Sequence, residues 1–262
     1  MCSSDLLAGA LALTLAACGA GAAEEESPTL RIAAVMSPMT DVVEAAAEAI
    51  EEPYSIELVE VADYVTANVI ANDGDVYGNF SQHEPYMQTF NEANDGTLEA
   101  VQSVYNFVIA FYSKTIDHID DLPTGATIAI ADDASNRGRA LKLLADAGVI
   151  GLDPEVDPYA ATVADVADNP KEVEFLEVGI SALNAAYDEA DLVFQWPSHI
   201  AALGLTPEDD GLLTELDATF ALHLVVRAED ADSEATEALK KAFTSEQVRR
   251  VIEENGTIEV AF

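Results

Sequence analysis

The chain is poor in basic residues: 11 Lys and Arg stand against 49 Asp and Glu among 262 residues, a formal net charge of -38. Nucleic-acid affinity depends on Lys and Arg that neutralise phosphates, so this composition excludes a nucleic-acid-binding role. It also excludes attachment of the protein surface to anionic lipid. The acidic residues are spread along the chain, which predicts a solvated, self-repelling surface. We therefore expect a salt-rich habitat, and a melting temperature that rises from low salt to molar KCl.

Cysteine is almost absent, and both cysteines, Cys2 and Cys18, lie near the N-terminus. Residues 6–17 form an apolar run that is too short to span a bilayer, which takes roughly 20 residues. The run ends in the tetrapeptide at residues 15–18, which resembles a bacterial lipobox, although no Lys or Arg precedes it. We expect a signal peptide at 1–17, a lipid on Cys18 and a tether at 18–28. Cys18 would then be the only cysteine, which excludes disulfides and cysteine metal sites.

Apolar segments of strand and helix periodicity alternate along the rest of the chain. This alternation predicts an α/β fold with mostly parallel sheets. The predicted strands are 30–36, 55–61, 98–113, 126–131, 171–178, 191–195 and 220–227. The predicted helices are 39–50, 65–71, 84–92, 136–147, 179–187 and 232–243, and a last helix that a capping box at 244–247 opens and Asn255-Gly256 closes.

Residues 72–86 are too polar for a plain core strand and predict a loop, which Asn79 and Gln82 brace through backbone hydrogen bonds. With DYVTAN at residues 63–68, this segment resembles the signature of the NlpA family, the methionine-binding lipoproteins of bacterial ABC importers. That signature reads DYVxPN and then NDGDxDANxFQHxPYL. The resemblance implies that Tyr64, His83 and Tyr86 surround the thioether chain of the ligand, since a polarizable sulfur suits aromatic rings.

The resemblance covers about residues 29–262 and implies a two-lobed periplasmic-binding-protein (type II) fold with the ligand cleft between the lobes. We expect lobe 1 at 29–112 plus 205–262 and lobe 2 at 113–204. The implied function is a lipid-anchored substrate-binding protein on the extracytoplasmic face of the cell membrane. It would capture methionine or a related amino-acid-like ligand by lobe closure and deliver it to an ABC permease, whose ATPase partner supplies the energy.

Residues 131–141, ADDASNRGRAL, resemble a second family motif, NDxxNxGRAL. A strand that enters a polar loop and a helix start offers free N–H groups and a positive dipole end to an anion. The resemblance assigns the ligand carboxylate to Arg139, whose guanidinium can bond it at two points, and adds Asn136 to the site. We expect Arg137 at the surface; an ordinary helix start with two surface arginines is the alternative.

Three positions depart from the family pattern. Ser81 stands where the family has phenylalanine, Trp196 where its DLAVINxxYxxxxGL motif has asparagine, and Leu222 where YxNxIVxR has asparagine. Both asparagines help to hold the amino-acid head group in the family. We therefore expect a retained carboxylate site with altered ligand selectivity. Trp196 either stacks on a larger ligand or belongs to the core.

Catalysis has no support in the sequence, and we expect no enzyme, no cofactor and no metal site. His83-Glu84 is not part of an HExxH helix, and neither a G-x-S-x-G elbow nor a P-loop is present. Two alternatives to methionine import remain open. The chain is either a non-transport surface lipoprotein for adhesion or sensing on the same fold, or an importer component for a different carboxylate ligand or a dipeptide.

Overall fold

The computed structural model describes residues 28–262, so the predicted signal peptide, Cys18 and all but the last residue of the 18–28 tether lie outside the described residues. The strands are β1 (Thr29–Ala34), β2 (Ser55–Glu60), β3 (Gly78–His83), β4 (Leu98–Phe107), β5 (Ile109–Tyr112), β6 (Thr127–Ala131), β7 (Gly151–Leu152), β8 (Val166–Asp168), β9 (Glu174–Val178), β10 (Leu192–Gln195), β11 (Leu213–Glu215), β12 (Leu222–Arg227) and β13 (Ile258–Val260). The α-helices are α1 (Met39–Ala49), α2 (Tyr64–Asn72), α3 (Glu84–Asn94), α4 (Ala134–Asp146), α5 (Leu183–Ala186), α6 (Pro197–Ile200), α7 (Pro207–Asp210), α8 (Glu234–Phe243) and α9 (Glu246–Asn255). Within this part of the chain, no helix is long and apolar enough to cross a bilayer.

Eleven of the strands form two mixed sheets, one in each lobe, and β7 and β8 form a separate antiparallel pair. The first sheet has the order β13-β4-β12-β3-β1-β2, and the second has the order β11-β5-β10-β6-β9. Only the β1–β2, β1–β3, β6–β9 and β6–β10 pairs are parallel. The prediction of mostly parallel sheets is therefore wrong. Within the two large sheets, each antiparallel pair includes β5 or β12 or joins β13 to β4. These strands lie at the lobe crossings or the C-terminus and do not belong to β-helix-β crossovers.

The chain crosses between the two sheets twice, as expected for two lobes, but the crossings lie elsewhere than predicted. Strand β5 follows β4 after Val108 and already pairs with β10 of the second sheet. Strand β11 also belongs to the second sheet, and the return to the first sheet comes between Glu215 and Leu222. The predicted lobe boundaries at 112/113 and 204/205 thus assign β5 and β11 to the wrong lobe.

Each sheet carries helices on its faces, and the apolar side chains between them form the core. In the first lobe α1 packs on α8 and α9, where Val42, Phe243 and Ile252 are fully buried. A separate, smaller apolar cluster lies beneath α2 and α3 and includes Met87 and Phe90. Full burial of one such side chain contributes about 1.5–3 kcal/mol, so these faces fix how the helices sit on the sheets.

The last helix begins one residue later than the predicted capping box. Ser245, and not Thr244, is the N-cap of α9, and its hydroxyl accepts a hydrogen bond from the Val248 N–H at 3.3 Å. The predicted end is confirmed: Gly256 follows Asn255 with φ +76°, a left-handed conformation that glycine adopts without a steric penalty. The chain then returns to the first sheet as β13, a strand that the sequence pattern did not predict.

Candidate functional site

The polar segment that we predicted as a loop contains a fully buried strand. All six residues of β3 are buried, and β3 pairs with β1 on one side and β12 on the other. A bulge interrupts the β12 pairing, because Phe80 and Ser81 together stand opposite Leu224. The extra residue breaks the alternation of the strand, so Asn79 and Gln82 meet although they are three positions apart.

The amide side chains of β3 are satisfied by each other and by one residue of α2. Asn68 Nδ2 donates to Gln82 Oε1 at 2.8 Å, and Asn79 Nδ2 donates to Asn68 Oδ1 at 3.0 Å. Gln82 Nε2 donates to Asn79 Oδ1 at 3.0 Å and also contacts Asn68 Oδ1. The prediction that Asn79 and Gln82 brace a loop through backbone groups is wrong, because their bonds join side chains. A buried amide network of this kind is stable only when each group finds a partner.

A cavity lies between the two sheets, and its lining is mostly apolar with a few polar groups, as is usual for small-molecule sites. Five of the six predicted ligand-binding residues line it: Tyr64, His83, Tyr86, Asn136 and Trp196. Its other lining residues are Pro38, Met39, Ser81, Gln82, Tyr105, Phe107, Ile180, Pro197, Ser198, Leu222, Thr257 and Ile258. Aromatic and aliphatic side chains make most of its surface, and amides and hydroxyls supply the polar points.

We call Tyr64, His83 and Tyr86 the ring wall of the cavity. Sequence reasoning missed Tyr105 and Phe107, which also line it from the end of β4. The sequence holds a signal for both residues, because they are two positions apart and alternate residues of a strand share one face.

His83 connects the ring wall to the second lobe. Its Nδ1 accepts a hydrogen bond from the Tyr86 N–H at 3.2 Å, so it serves as the N-cap of α3. Because Nδ1 accepts, the proton of the neutral ring lies on Nε2, which donates to Asn136 Oδ1 at 3.0 Å. Burial, together with the positive charge of Arg139, lowers the pKa of His83 to about 3. His83 is therefore a neutral, directed hydrogen-bonding group at physiological pH.

A series of aromatic rings runs from the second lobe to the first. The rings of Trp196 and His199 lie 6.1 Å apart, His199 and Tyr64 6.0 Å, Tyr64 and Tyr86 6.4 Å, and Tyr86 and His83 6.1 Å. The Tyr64 hydroxyl and His199 Nε2 share a hydrogen bond of 2.7 Å across the lobes. Burial raises the pKa of Tyr64 and lowers that of His199, so both stay neutral. His199 was missed, although it stands at the tyrosine of the DLAVINxxYxxxxGL motif.

We call Asn136, Trp196 and Leu222 the head-group wall. Trp196 is 8% exposed and packs against Phe194 at 5.3 Å, so it belongs to the core. It also lines the cavity, and its stacking on a ligand stays a prediction. Leu222 is buried and presents no polar atom where the family motif has an amide.

Phe80 faces away from the cavity and packs on Phe243 and Tyr105 in the first-lobe core. Ser81 lines the cavity in the place of a ring and donates to Asn79 Oδ1 at 3.1 Å.

Arg139, the sixth predicted residue, does not line the cavity. Its side chain is buried behind the rings of Phe220 and Phe107, whose centroids lie 4.2 and 5.3 Å from its Cζ. Arg139 Nε donates to Glu215 Oε2 at 2.8 Å. Nη2 lies 2.8 Å from the same oxygen without the alignment of a hydrogen bond, and Nη1 has no partner among the described residues. Glu215 thus satisfies Nε alone, and the Nη1 and Nη2 groups of Arg139 are buried without a hydrogen bond from the described residues.

The start of α4, predicted as an anion site, is capped by a carboxylate of the chain. Asp133 Oδ1 accepts from the Asn136 N–H at 3.0 Å and from the Ser135 hydroxyl at 2.8 Å. Both Asp133 oxygens also accept from Asn136 Nδ2, which aims Asn136 Oδ1 at His83. Arg137, predicted at the surface, is half-buried and pairs with Glu177 at 3.2 Å.

A family model described as NlpA lipoprotein matches residues 30–261. The chain belongs to the NlpA lipoprotein family. Its curated relatives include the probable D-methionine-binding lipoprotein MetQ of Vibrio cholerae, which is 33% identical over 252 residues, or 95% of this chain and 93% of that protein.

Solved structures of NlpA-type proteins have the same fold. A YaeC-family lipoprotein from Enterococcus faecalis has a TM-score of 0.79 and 37% identity, covering 89% of this chain and 99% of its own. A nutrient binding protein from Burkholderia cenocepacia, solved with methionine bound, has a TM-score of 0.84 and 29% identity over 89% of this chain and 100% of its own. The predicted family and two-lobed α/β fold are confirmed. Because the NlpA family consists of substrate-binding proteins, the expectation that the chain is not an enzyme is confirmed as well.

Proposed function

We propose that this NlpA-family chain is the substrate-binding lipoprotein of an ABC importer and captures methionine or a related amino-acid-like ligand. One observation carries the proposal: the cavity between the sheets is lined from both lobes, by Tyr64 and His83 on one side and Asn136 and Trp196 on the other. A ligand that contacts both lobes favours their closed arrangement, which a partner can then recognise.

The chemistry of the lining supports a ligand with a soft apolar chain and a polar head group. The rings of Tyr64, Tyr86 and Trp196 suit a thioether, because sulfur–aromatic contacts contribute about 0.3–1.5 kcal/mol each. Gln82 and Ser198 bring polar side chains to the same cavity. Relatives described as methionine-binding support the same class of ligand.

Delivery to the membrane completes the proposal. A lipid on Cys18 would hold the protein at the extracytoplasmic face, and the permease would receive the ligand from the closed lobes. The lipobox-like residues 15–18 and the lipoprotein descriptions of the relatives support this anchor. The transport energy would come from the partner ATPase, since the sequence has no P-loop.

A thermal-shift screen of the purified protein against L- and D-methionine, methionine derivatives, the other amino acids and dipeptides tests the proposed ligand class. A ligand at a hundred times its Kd stabilises the folded protein by about 2.7 kcal/mol. We expect that shift with a methionine-type ligand, and a smaller shift in Trp196→Ala. Stabilisation by a dipeptide alone would point to the altered selectivity that Trp196 and Leu222 favour. No shift with any of these ligands would refute the proposal.

A further inference from the structure

His199 joins the two lobes beside the cavity. It lies on α6 of the second lobe, and its Nε2 shares a hydrogen bond of 2.7 Å with the hydroxyl of Tyr64, the first residue of α2 in the first lobe. Tyr64 lines the cavity, whereas His199 does not. The bond is made when the lobes are closed and is lost when they separate, so His199 contributes to closure rather than to contact with the ligand.

The bond depends on the charge of the imidazole. In the neutral ring of His199, Nε2 can accept the proton of the Tyr64 hydroxyl. In a protonated ring both nitrogens are donors, so the Tyr64 oxygen must accept and its own proton loses that partner. Among the described residues, the other acceptor near the hydroxyl is Met36 Sδ at 3.9 Å, and a thioether is a weak acceptor. Protonation therefore weakens the contact and also places a charge between the lobes.

The described side chains that pack around His199 are uncharged. They are Tyr64 of α2, Asn184 of α5 and Trp196, with Tyr86 of α3 behind Tyr64. Asp63, which precedes Tyr64, accepts from the Thr66 N–H and hydroxyl at 2.8 and 2.9 Å and so caps α2. Burial lowers the pKa of His199, and no charged group among the described residues contributes to that shift. The cost of a proton on this ring is therefore not offset by a neighbouring carboxylate.

The lowered pKa couples protonation of His199 to separation of the lobes. Burial holds the pKa below its ordinary value of about 6.5 when the lobes are closed. Separation exposes the ring to water and returns its pKa toward that value, so the open form binds the proton more readily. The closed form is thus fully favoured above about pH 6.5 and loses stability relative to the open form as the pH falls below it. Ligand binding, which closes the lobes, must then release protons.

We propose that His199 is a positioning residue that holds the cleft closed over the ligand while its imidazole is neutral and releases the cleft when protonated, so that ligand affinity falls in acid. This inference rests on the proposed function and adds regulation by pH to it. The family motif DLAVINxxYxxxxGL has tyrosine at this position, and tyrosine, with an ordinary pKa of about 10, carries no charge in acid. The contribution of His199 thus belongs to this chain and not to the family motif.

The test is calorimetric titration of the full protein with L-methionine at about pH 7 and at about pH 5, where the amine of methionine stays protonated and its carboxylate ionised. His83 also bonds across the lobes, from its Nε2 to Asn136 Oδ1, so the informative quantity is the difference between the wild type and His199→Tyr. At about pH 7 the two proteins should bind within about threefold of each other. At about pH 5 the wild type should lose about tenfold more affinity than His199→Tyr. His118→Gln, at an exposed histidine, is the control and should lose affinity as the wild type does.

Proton release gives a second readout, which a merely structural role of His199 would not change. Calorimetry at about pH 6 in two buffers of different ionisation enthalpy counts the protons released when L-methionine binds. The wild type should release about 0.5 proton more per bound ligand than His199→Tyr.

Two outcomes overturn the inference. Equal losses of affinity in the wild type and His199→Tyr, with equal proton release, would show that His199 does not couple closure to pH, and the proposed function would stand. If L-methionine binds neither protein at either pH, the inference fails in this form, and the proposed function fails with it when the screen above finds no other ligand.

Should His199→Tyr not fold, His199→Gln keeps a neutral side chain that can still bond the Tyr64 hydroxyl. It should show the same smaller loss of affinity in acid and the same smaller release of protons. A His199→Gln protein with the full acid loss of the wild type would contradict the inference as well.

Discussion

The two walls of the cavity differ in how closely they follow the family pattern. On the ring wall, Tyr64, His83 and Tyr86 stand where the family motifs have them, and all three face the cavity. On the head-group wall, Trp196 and Leu222 replace two amides. The ring wall therefore follows the family pattern and supports the proposed apolar part of the ligand, whereas the head-group wall is where we expect selectivity for the polar group to differ from the family.

The side-chain hydrogen bonds that support the two walls from behind also differ. Behind the ring wall, Asn68, Asn79 and Gln82 form a closed amide network. Behind the head-group wall, Gln195 makes two hydrogen bonds. Its Nε2 donates to Asn184 Oδ1 at 2.7 Å, and its Oε1 accepts from the Trp196 N–H at 3.0 Å.

The largest effect should come from Asn68→Leu, which keeps the approximate shape of the side chain and leaves the buried Asn79 Nδ2 and Gln82 Oε1 without the bonds that Asn68 makes. We expect a loss of about 3 kcal/mol of unfolding free energy in urea denaturation. Gln195→Leu should cost about 1–2 kcal/mol, and the exposed control Asn94→Leu less than about 0.5 kcal/mol. Equal losses at Asn68 and Gln195 would remove the distinction between the two supports.

The next effect concerns ligand affinity. Tyr86→Ala removes one ring from the ring wall, and about 2 kcal/mol of apolar contact with it. Calorimetry should show binding of methionine and methioninamide weakened alike, by about 30-fold. Tyr54→Ala, at a tyrosine that does not line the cavity, is the control. A loss confined to one of the two ligands would mean that Tyr86 contacts the head group.

His83 should make the unfolding free energy of the protein depend on pH. Its pKa falls to about 3 in the folded state, from about 6.5 when unfolded, so the unfolded chain binds the proton more readily. Its contribution is complete above about pH 6.5 and declines as the pH falls toward 3. Between pH 6 and 4, we expect the slope of unfolding free energy against pH to be smaller in His83→Gln by about 1.4 kcal/mol per pH unit.

The exposed histidine His118 supplies the matched control for that titration. His118→Gln should keep the slope of the wild type. A His83→Gln protein with an unchanged slope would show that His83 does not resist protonation in the fold.

The smallest effect should come from Tyr64→Phe, which removes the hydroxyl bonded to His199 across the lobes. We expect an affinity loss of about fivefold, since one such hydrogen bond contributes about 1 kcal/mol. Tyr187→Phe removes a hydroxyl that donates to Ser113 O within the second lobe at 3.2 Å, and it should leave affinity unchanged. A Tyr64→Phe protein with wild-type affinity would contradict a role of this bond in closure.

Much of the fold was predictable from apolar periodicity, but β3 was not. A strand of asparagine, serine, glutamine and histidine looks like a loop, because its burial depends on Asn68, a residue of another element. The mixed character of the sheets was also hidden, since β12 pairs with strands more than a hundred positions earlier.

The site shows the same limit. Motifs predicted the five cavity residues, because the spacing within each motif carries the information. The motif reasoning did not reveal that Arg139 is bonded to Glu215, 76 positions away, since no local pattern links them. The polar neighbours of a predicted ligand contact therefore required the three-dimensional structure.

The most direct test of a ligand bound between the two walls is the fluorescence of Trp196, the only tryptophan of the chain. Titration with methionine and methioninamide, under selective excitation of tryptophan, should change its emission with the Kd that calorimetry gives. In Trp196→Phe the signal should vanish while calorimetric binding persists. Calorimetric binding to the wild type without any change in Trp196 emission would place the ligand elsewhere and contradict the account.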